Sequence, residues 1–204
     1  MRALHFIPAL LLLACGLCRG EEEEQEREKF PGETPITSPG KTFSIVRAHQ
    51  EPTKDDPYSI EEKVIFAKAG HAEVPLEVTS WRGFYFISPD DRWILRDQKT
   101  GSGDSQAWLY RVEENGRVSL VQGFDNRMWA ASDVVSKLKY KELYHTGVHE
   151  VTWSKDSKTL ILKIGGADGR FNGKGIKTEV SYEVTKNSFQ AKPLPDDAGE
   201  KEKN

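Results

Sequence analysis

The chain has 204 residues, with 29 Lys or Arg against 32 Asp or Glu, a net charge of −3 with histidines neutral. That length holds one domain with a real core or two small ones, and a mildly acidic chain without a basic stripe argues against nucleic acid as a partner. Its two cysteines, Cys15 and Cys18, both fall in the first twenty residues, so the rest of the chain has no thiol for disulfides, zinc–thiolate sites or cysteine nucleophiles.

Residues 1–20 read as a signal peptide. Arg2 gives a short basic start, and His5 to Leu17 is an apolar run containing Leu10-Leu11-Leu12-Leu13. That run has the length of a signal-peptide core and falls short of the ~20 residues that a membrane-spanning helix needs. Cys18-Arg19-Gly20 and Ala14-Cys15-Gly16 both offer small residues to signal peptidase. Leu12-Leu13-Ala14-Cys15 resembles a bacterial lipobox, which implies a lipid attached to Cys15. The mature protein is therefore expected to be exported (periplasmic, cell-surface or secreted), meeting a membrane only through that lipid.

Residues 21–37 open with Glu21-Glu22-Glu23-Glu24 and are acidic and proline-rich. Such a composition cannot bury enough apolar surface to offset chain entropy and is read as a disordered spacer. Residues 38–192 form a single β-repeat domain, and residues 193–204 a disordered tail. Removing Arg2 and Arg19 with the signal leaves 27 basic against 32 acidic residues, a net of −5.

Three stretches line up within the domain. They are Ser38-Pro39-Gly40-Lys41-Thr42-Phe43-Ser44-Ile45, Ser88-Pro89-Asp90-Asp91-Arg92-Trp93-Ile94-Leu95 and Ser154-Lys155-Asp156-Ser157-Lys158-Thr159-Leu160-Ile161. Each reads as a tight turn restarting a strand, with proline or aspartate shaping the turn and the fourth position asking for left-handed backbone. Each is followed by a second β-like run: Lys63 to Lys68, Ala107 to Val112 and Val180 to Val184. A further turn and short strand come next at Val118 and at Phe189. Phe84-Tyr85-Phe86-Ile87 is apolar on both faces, as an interior strand is. Ile176 to Val184 alternates apolar with polar, as a strand with one buried face does. Ser132 to Tyr144 breaks the pattern, with Ser132 as a candidate N-cap and Val134, Leu138, Val135 and Tyr144 along one face, so one helix is expected near 132–144. The fold expected is mainly β: an antiparallel meander of roughly 9–11 strands in three units.

Strand, Ser-Pro-Asp turn, strand, Gly-rich loop, strand resembles the blade repeat of TolB-like and WD-type β-propellers. The resemblance rests on Ser88–Leu95, Ser154–Ile161, Tyr110-Arg111-Val112 and Tyr182-Glu183-Val184. It implies four strands per unit, and three units are too few for the four to eight blades of a closed ring. An open meander, a sandwich, and a dimer whose two chains complete a ring all remain open.

Catalytic patterns are sparse. Trp93, Trp108 and Trp153 suit a packed core, while Trp81 and Trp129 lie where strands begin or end. His145, His149 and Glu150 invite a metal reading, but Gly147 lies between the histidines and without a helix that spacing does not put two imidazoles on one face. The Gly-rich loops Gly101–Ser105 and Asp168–Gly175 lack the residues of a phosphate or calcium loop. Loops of this kind tend to carry binding residues, which makes Asp168, Arg170, Phe171 and Asn172 the binding candidates. No catalytic residue and no cofactor are assigned. The expectation is an exported, non-catalytic protein that binds another protein or a cell-envelope component. The rival is a small hydrolase or metal- or ligand-binding protein using His145, His149 and Glu150 or the Gly-rich loops.

Overall fold

A computed structural model describes residues 35–49, 60–68, 70–77, 79, 81–168 and 175–195. The chain lays down three four-stranded antiparallel sheets, each a meander in which every strand pairs with its sequence neighbour. Sheet 1 holds β1 (Ile36–Thr37), β2 (Phe43–His49), β3 (Ile60–Phe66) and β4 (Val74–Pro75). Sheet 2 holds β5 (Gly83–Ile87), β6 (Trp93–Lys99), β7 (Ser105–Val112) and β8 (Val118–Leu120). Sheet 3 holds β9 (Leu143–Trp153), β10 (Thr159–Asp168), β11 (Gly175–Glu183) and β12 (Ser188–Pro193). Pro75, which has no N–H to donate, sits where a proline is tolerated, on a two-residue edge strand.

The sheets stack, with sheet 2 in the middle. Ile87, Ile94, Tyr110 and Val112 of sheet 2 pack against Phe43, Ile45, Val64 and Leu76 of sheet 1. On the other side, Phe86, Leu95, Ala107 and Leu109 pack against Val148, Val151, Leu160, Leu162 and Val180 of sheet 3. Phe84–Ile87 is apolar on both faces because both faces of its sheet are covered. The outward-facing residues of sheets 1 and 3 are polar and ion-paired instead: Lys63 with Glu61 at 3.6 Å, Lys192 with Glu179 at 2.9 Å, and Lys163 with Glu150.

The three serine turns share one geometry. The N–H of Ser38, Ser88 and Ser154 donates to the carbonyl of Phe43, Trp93 and Thr159 at 3.0, 3.0 and 2.9 Å. The fourth residue of each turn, Lys41, Asp91 or Ser157, has left-handed backbone with φ of 59°, 59° and 58°. Left-handed backbone costs roughly 1–2 kcal/mol for a residue with a Cβ, and two of these side chains have a use that offsets it. Asp91 Oδ1 accepts the Gly40 N–H at 2.9 Å, and Ser157 Oγ accepts the Asp90 N–H at 3.0 Å. The side chain of one turn thus closes on the backbone of the turn before it, and the three sheets are latched together at this end.

The helix lies earlier than the sequence suggests. Helix α1 spans Phe124–Val135 and packs on β11 and β12 of sheet 3 and on β7 of sheet 2. Its buried face is Phe124, Met128, Trp129 and Ser132, so Trp129 is a fully buried helical residue at 1% exposure rather than a strand end. Ser132 does not cap a helix: its Oγ donates to Thr178 Oγ1 at 3.0 Å inside the fold, and Val134, expected inward, is 83% exposed. The chain is extended by Ser136, and only a 3-10 turn, Tyr140–Glu142, follows before β9. Physically, Gly123 takes the left-handed entry (φ 64°) and Phe124 with Trp129 fills the space beside Tyr182 and Phe189. Tertiary burial outweighs the local Ser-Asp capping signal.

Candidate functional site

The second half of β6 sets up the polar chemistry. Ile94 and Leu95 face the two apolar interfaces, and the next three residues, Arg96, Asp97 and Gln98, are buried as well. Strand alternation sends Arg96 toward sheet 1 and Asp97 toward sheet 3. Arg96 meets Glu62 of β3, Nη2 to Oε2 at 2.6 Å, with neither side chain exposed. Glu62 also accepts from Arg47 Nε at 2.7 Å and from the Tyr85 hydroxyl at 2.5 Å. Arg96 spends further donors on the Glu77 carbonyl (3.1 Å) and Thr79 Oγ1 (3.0 Å), and Arg47 on the Gly83 carbonyl (2.6 Å). Its guanidinium lies 5.7 Å from the Tyr85 ring centre and 5.0 Å from that of Trp108. Burial, and then the Glu62 charge, raises the Tyr85 phenol well above its ordinary pKa. One carboxylate held by two guanidiniums and a phenol is a structural clamp between sheets 1 and 2. Its acid is fully covered, so it is not placed to meet a substrate.

Above that clamp, at the turn end, the same two sheets separate into a cleft of about 570 Å³. That is within the size range of ligand pockets. Phe66 ends β3 with Ala67 just after it, Val112 ends β7, and these give the cleft its apolar part. His71 stands edge-on to Phe66, ring centres 5.3 Å apart, and close against Gly116, where an added Cβ would meet its Nδ1 at 2.8 Å. The Nδ1 atom is buried and has no hydrogen-bond partner among the described residues. The acids on the cleft wall are engaged. Asp90 Oδ1 accepts from Ser88 Oγ (2.6 Å) and the Arg92 N–H (3.1 Å), and Glu114 pairs with Arg92 at 2.6 Å. Glu113 lies 3.6 Å from Arg117. Asp91 Oδ2 accepts from Ser38 Oγ at 2.8 Å and Thr42 Oγ1 at 2.7 Å. Burial works to raise the Asp91 pKa, but hydrogen bonds from Gly40, Thr42 and Ser38 outweigh it and hold the carboxyl below its ordinary value. Lys41 and Lys68, both exposed on the cleft lining, have no ion-pair partner among the described residues.

The residues singled out from sequence fall elsewhere. Asp168 ends β10, opposite Leu143, at the far end of sheet 3 from the serine turns. Arg170, Phe171, Asn172 and Cys15 lie outside the described residues. His145 and His149 sit at two bulges of β9. His149 is the extra residue between Val148, paired with Ile164, and Glu150, paired with Lys163. His145 has φ 51° at the second register shift, and its ring covers Gly103. Glu150 is occupied by Lys163. Among the described residues no three His, Cys, Asp or Glu side chains converge as a metal site. The loop Gly101–Ser105 is used structurally: Asp104 Oδ1 accepts the Thr146 N–H at 2.9 Å, and Ser105 Oγ the Val148 N–H at 3.4 Å.

Sequence reasoning missed the cleft residues Lys41, Lys68 and His71 because nothing local marks them. The one available signal was the fourth turn position, where Lys41, Asp91 and Ser157 stand in place of a glycine. No family model, no curated protein and no solved structure matches the chain. No helix among the described residues is long and apolar enough to cross a membrane.

Proposed function

We propose that the protein is an exported binding protein, with the cleft between sheets 1 and 2 holding a segment of a partner protein or of a cell-envelope component. The observation that carries this reading is the cleft itself. It combines an apolar wall with two ammonium groups, on Lys41 and Lys68, that have no ion-pair partner among the described residues, while the acids on its wall are engaged. Such a surface suits recognition: apolar contact gives affinity, and a few placed polar groups give orientation. The acidic spacer and the signal-like start support a domain held away from a membrane or released from the cell.

In this reading the three sheets are blade-like units of the TolB and WD kind, arranged as an open stack. Two observations support an open stack over a ring completed by a second copy. The outer faces of sheets 1 and 3 carry ion pairs, as capping units do. The latch also has no acceptor at sheet 1, because the residue equivalent to Asp91 and Ser157 is Lys41.

The test is retention of the purified chain on envelope fractions, with Lys41→Glu/Lys68→Glu as the comparison. Both lysines are exposed, so the variant is expected to fold. Saturable binding that drops at least tenfold in the variant supports the reading. Absence of binding, or equal binding by the variant, removes the cleft as the site.

A further inference from the structure

A second hollow lies at the β8 edge of sheet 2, beside the start of α1. We propose that it binds an alkylammonium group, either a free amine or the side chain of a lysine on a partner. The hollow has a volume of about 210 Å³ and is walled by Leu120, Val121 and Phe124, with Gln106 and Asn126 at its rim. At ~30 Å³ for each water it displaces, that space admits the end of a lysine-sized chain. Among the described residues, Asp125 is the only charged side chain on the lining.

Two features make Asp125 a cation receptor in want of a cation. Its carboxyl is fixed, because Oδ1 accepts the Ala107 N–H of β7 at 2.8 Å, which leaves a rotamer-locked oxygen pair instead of a free surface acid. The charged side chain facing it is of its own sign: Asp97 of β6, 2% exposed. The Tyr140 phenol is neutral, its pKa raised first by burial, and the first turn of α1, where Asp125 sits, offers only the partial positive charge of its N–H groups. The one nearby cation on the helix, Arg127, is turned away: Nη1 donates to Asn187 Oδ1 at 2.9 Å, and the guanidinium lies over the Phe189 ring. No Lys, Arg or His forms an ion pair with Asp125 among the described residues. Burial, opposed by the Ala107 hydrogen bond and reinforced by Asp97, raises Asp125 to about 6. An ammonium in the hollow supplies the missing charge and a charge-assisted hydrogen bond, while its alkyl chain covers the apolar wall. The site is separate from the cleft between sheets 1 and 2, and stands or falls without it.

The test is a titration of the full chain with n-butylammonium chloride, followed by amide chemical shifts. Saturable shifts centred on Ala107 and Gly123 at pH 7.5 are expected, with none from n-butanol at the same concentration. Protonating Asp125 removes the attraction, so affinity should fall at least tenfold between pH 7.5 and pH 5. Asp125→Asn keeps an acceptor for the Ala107 N–H and should bind at least tenfold more weakly with no such pH dependence. Should that variant fail to fold, the pH dependence of the wild type decides. A parallel titration with Nα-acetyl-lysine methylamide separates the sources: tighter binding than butylammonium assigns a partner's lysine, weaker binding a free amine. Shifts matched by butanol, or undiminished at pH 5, overturn the proposal.

Discussion

Asp91 and Gly40 are joined across two sheets, the Gly40 N–H donating to Asp91 Oδ1 at 2.9 Å. The contact depends on both residues: a Cβ at position 40 would lie 2.6 Å from Asp91 Oδ2. Asp91→Gly relieves the left-handed strain but loses the latch, and the loss should win, lowering stability by ~1–2 kcal/mol. Asp91→Ala keeps the strain and loses the latch, so ~2–4 kcal/mol is expected. Gly40→Ala should destabilise by pushing the two turns apart. Urea denaturation of the three variants checks the order, and a neutral Asp91→Gly would contradict the latch.

The pH dependence of stability should contain two opposite contributions. Asp91, held below its ordinary value, stabilises the fold above the unfolded pKa of ~3.9, and that contribution is lost as pH falls through the folded value. Asp125, raised to about 6, behaves the other way. Its contribution is complete below ~4 and is lost as pH rises through about 6, up to ~3 kcal/mol at neutral pH. Denaturation midpoints should therefore rise from pH 7 to pH 5 and fall again below pH 4. In Asp125→Asn the rise between 7 and 5 should disappear.

Removing Glu62 leaves two guanidiniums without their carboxylate in a closed interface, so Glu62→Ala should cost ~3–5 kcal/mol. Gly83→Ala should perturb the same clamp, because its Cβ would lie 2.6 Å from Arg96 Nε. Thermal unfolding with a double-mutant cycle on Glu62 and Arg96 measures the coupling. Near-additive effects would mean that the clamp is not one unit.

The position of α1 can be checked by substitution. Met128→Ala empties a fully buried site and should cost ~2–5 kcal/mol, whereas Val134→Ala, at 83% exposure, should change stability by less than ~0.5 kcal/mol. The reverse order would restore a helix at 132–144.

The parts of this fold legible in the sequence are the local ones. Ser-Pro-Asp-Asp and Ser-Lys-Asp-Ser announce turns through side chains that bond their own backbone, Ser88 Oγ accepting the Trp93 N–H at 3.0 Å and Ser154 Oγ the Thr159 N–H at 2.9 Å. Phe84–Ile87 announces burial on both faces, but not its place in the sheet: it forms β5, the edge strand of sheet 2 and not an interior one. What stays hidden is set by distant partners. Glu62 lies between Glu61 and Lys63, and nothing there distinguishes the buried acid from its exposed-face neighbours. Asp91 shapes its turn by φ alone, while its carboxylate serves sheet 1. The His145–His149 spacing misleads because two bulges intervene, and bulges leave no reliable mark on one sequence. The cleft is assembled from residues of two sheets, so no segment carries it.

Photo-crosslinking in producing cells tests the binding account most directly. A crosslinking residue at Lys68 or Lys41 samples the cleft, and one at Glu179 or Lys192 samples the outer face of sheet 3. The account predicts a discrete adduct from the cleft positions, lost when the other cleft lysine is changed to Glu, and none from sheet 3. Adducts from the sheet 3 positions alone, or equally from both, would contradict it.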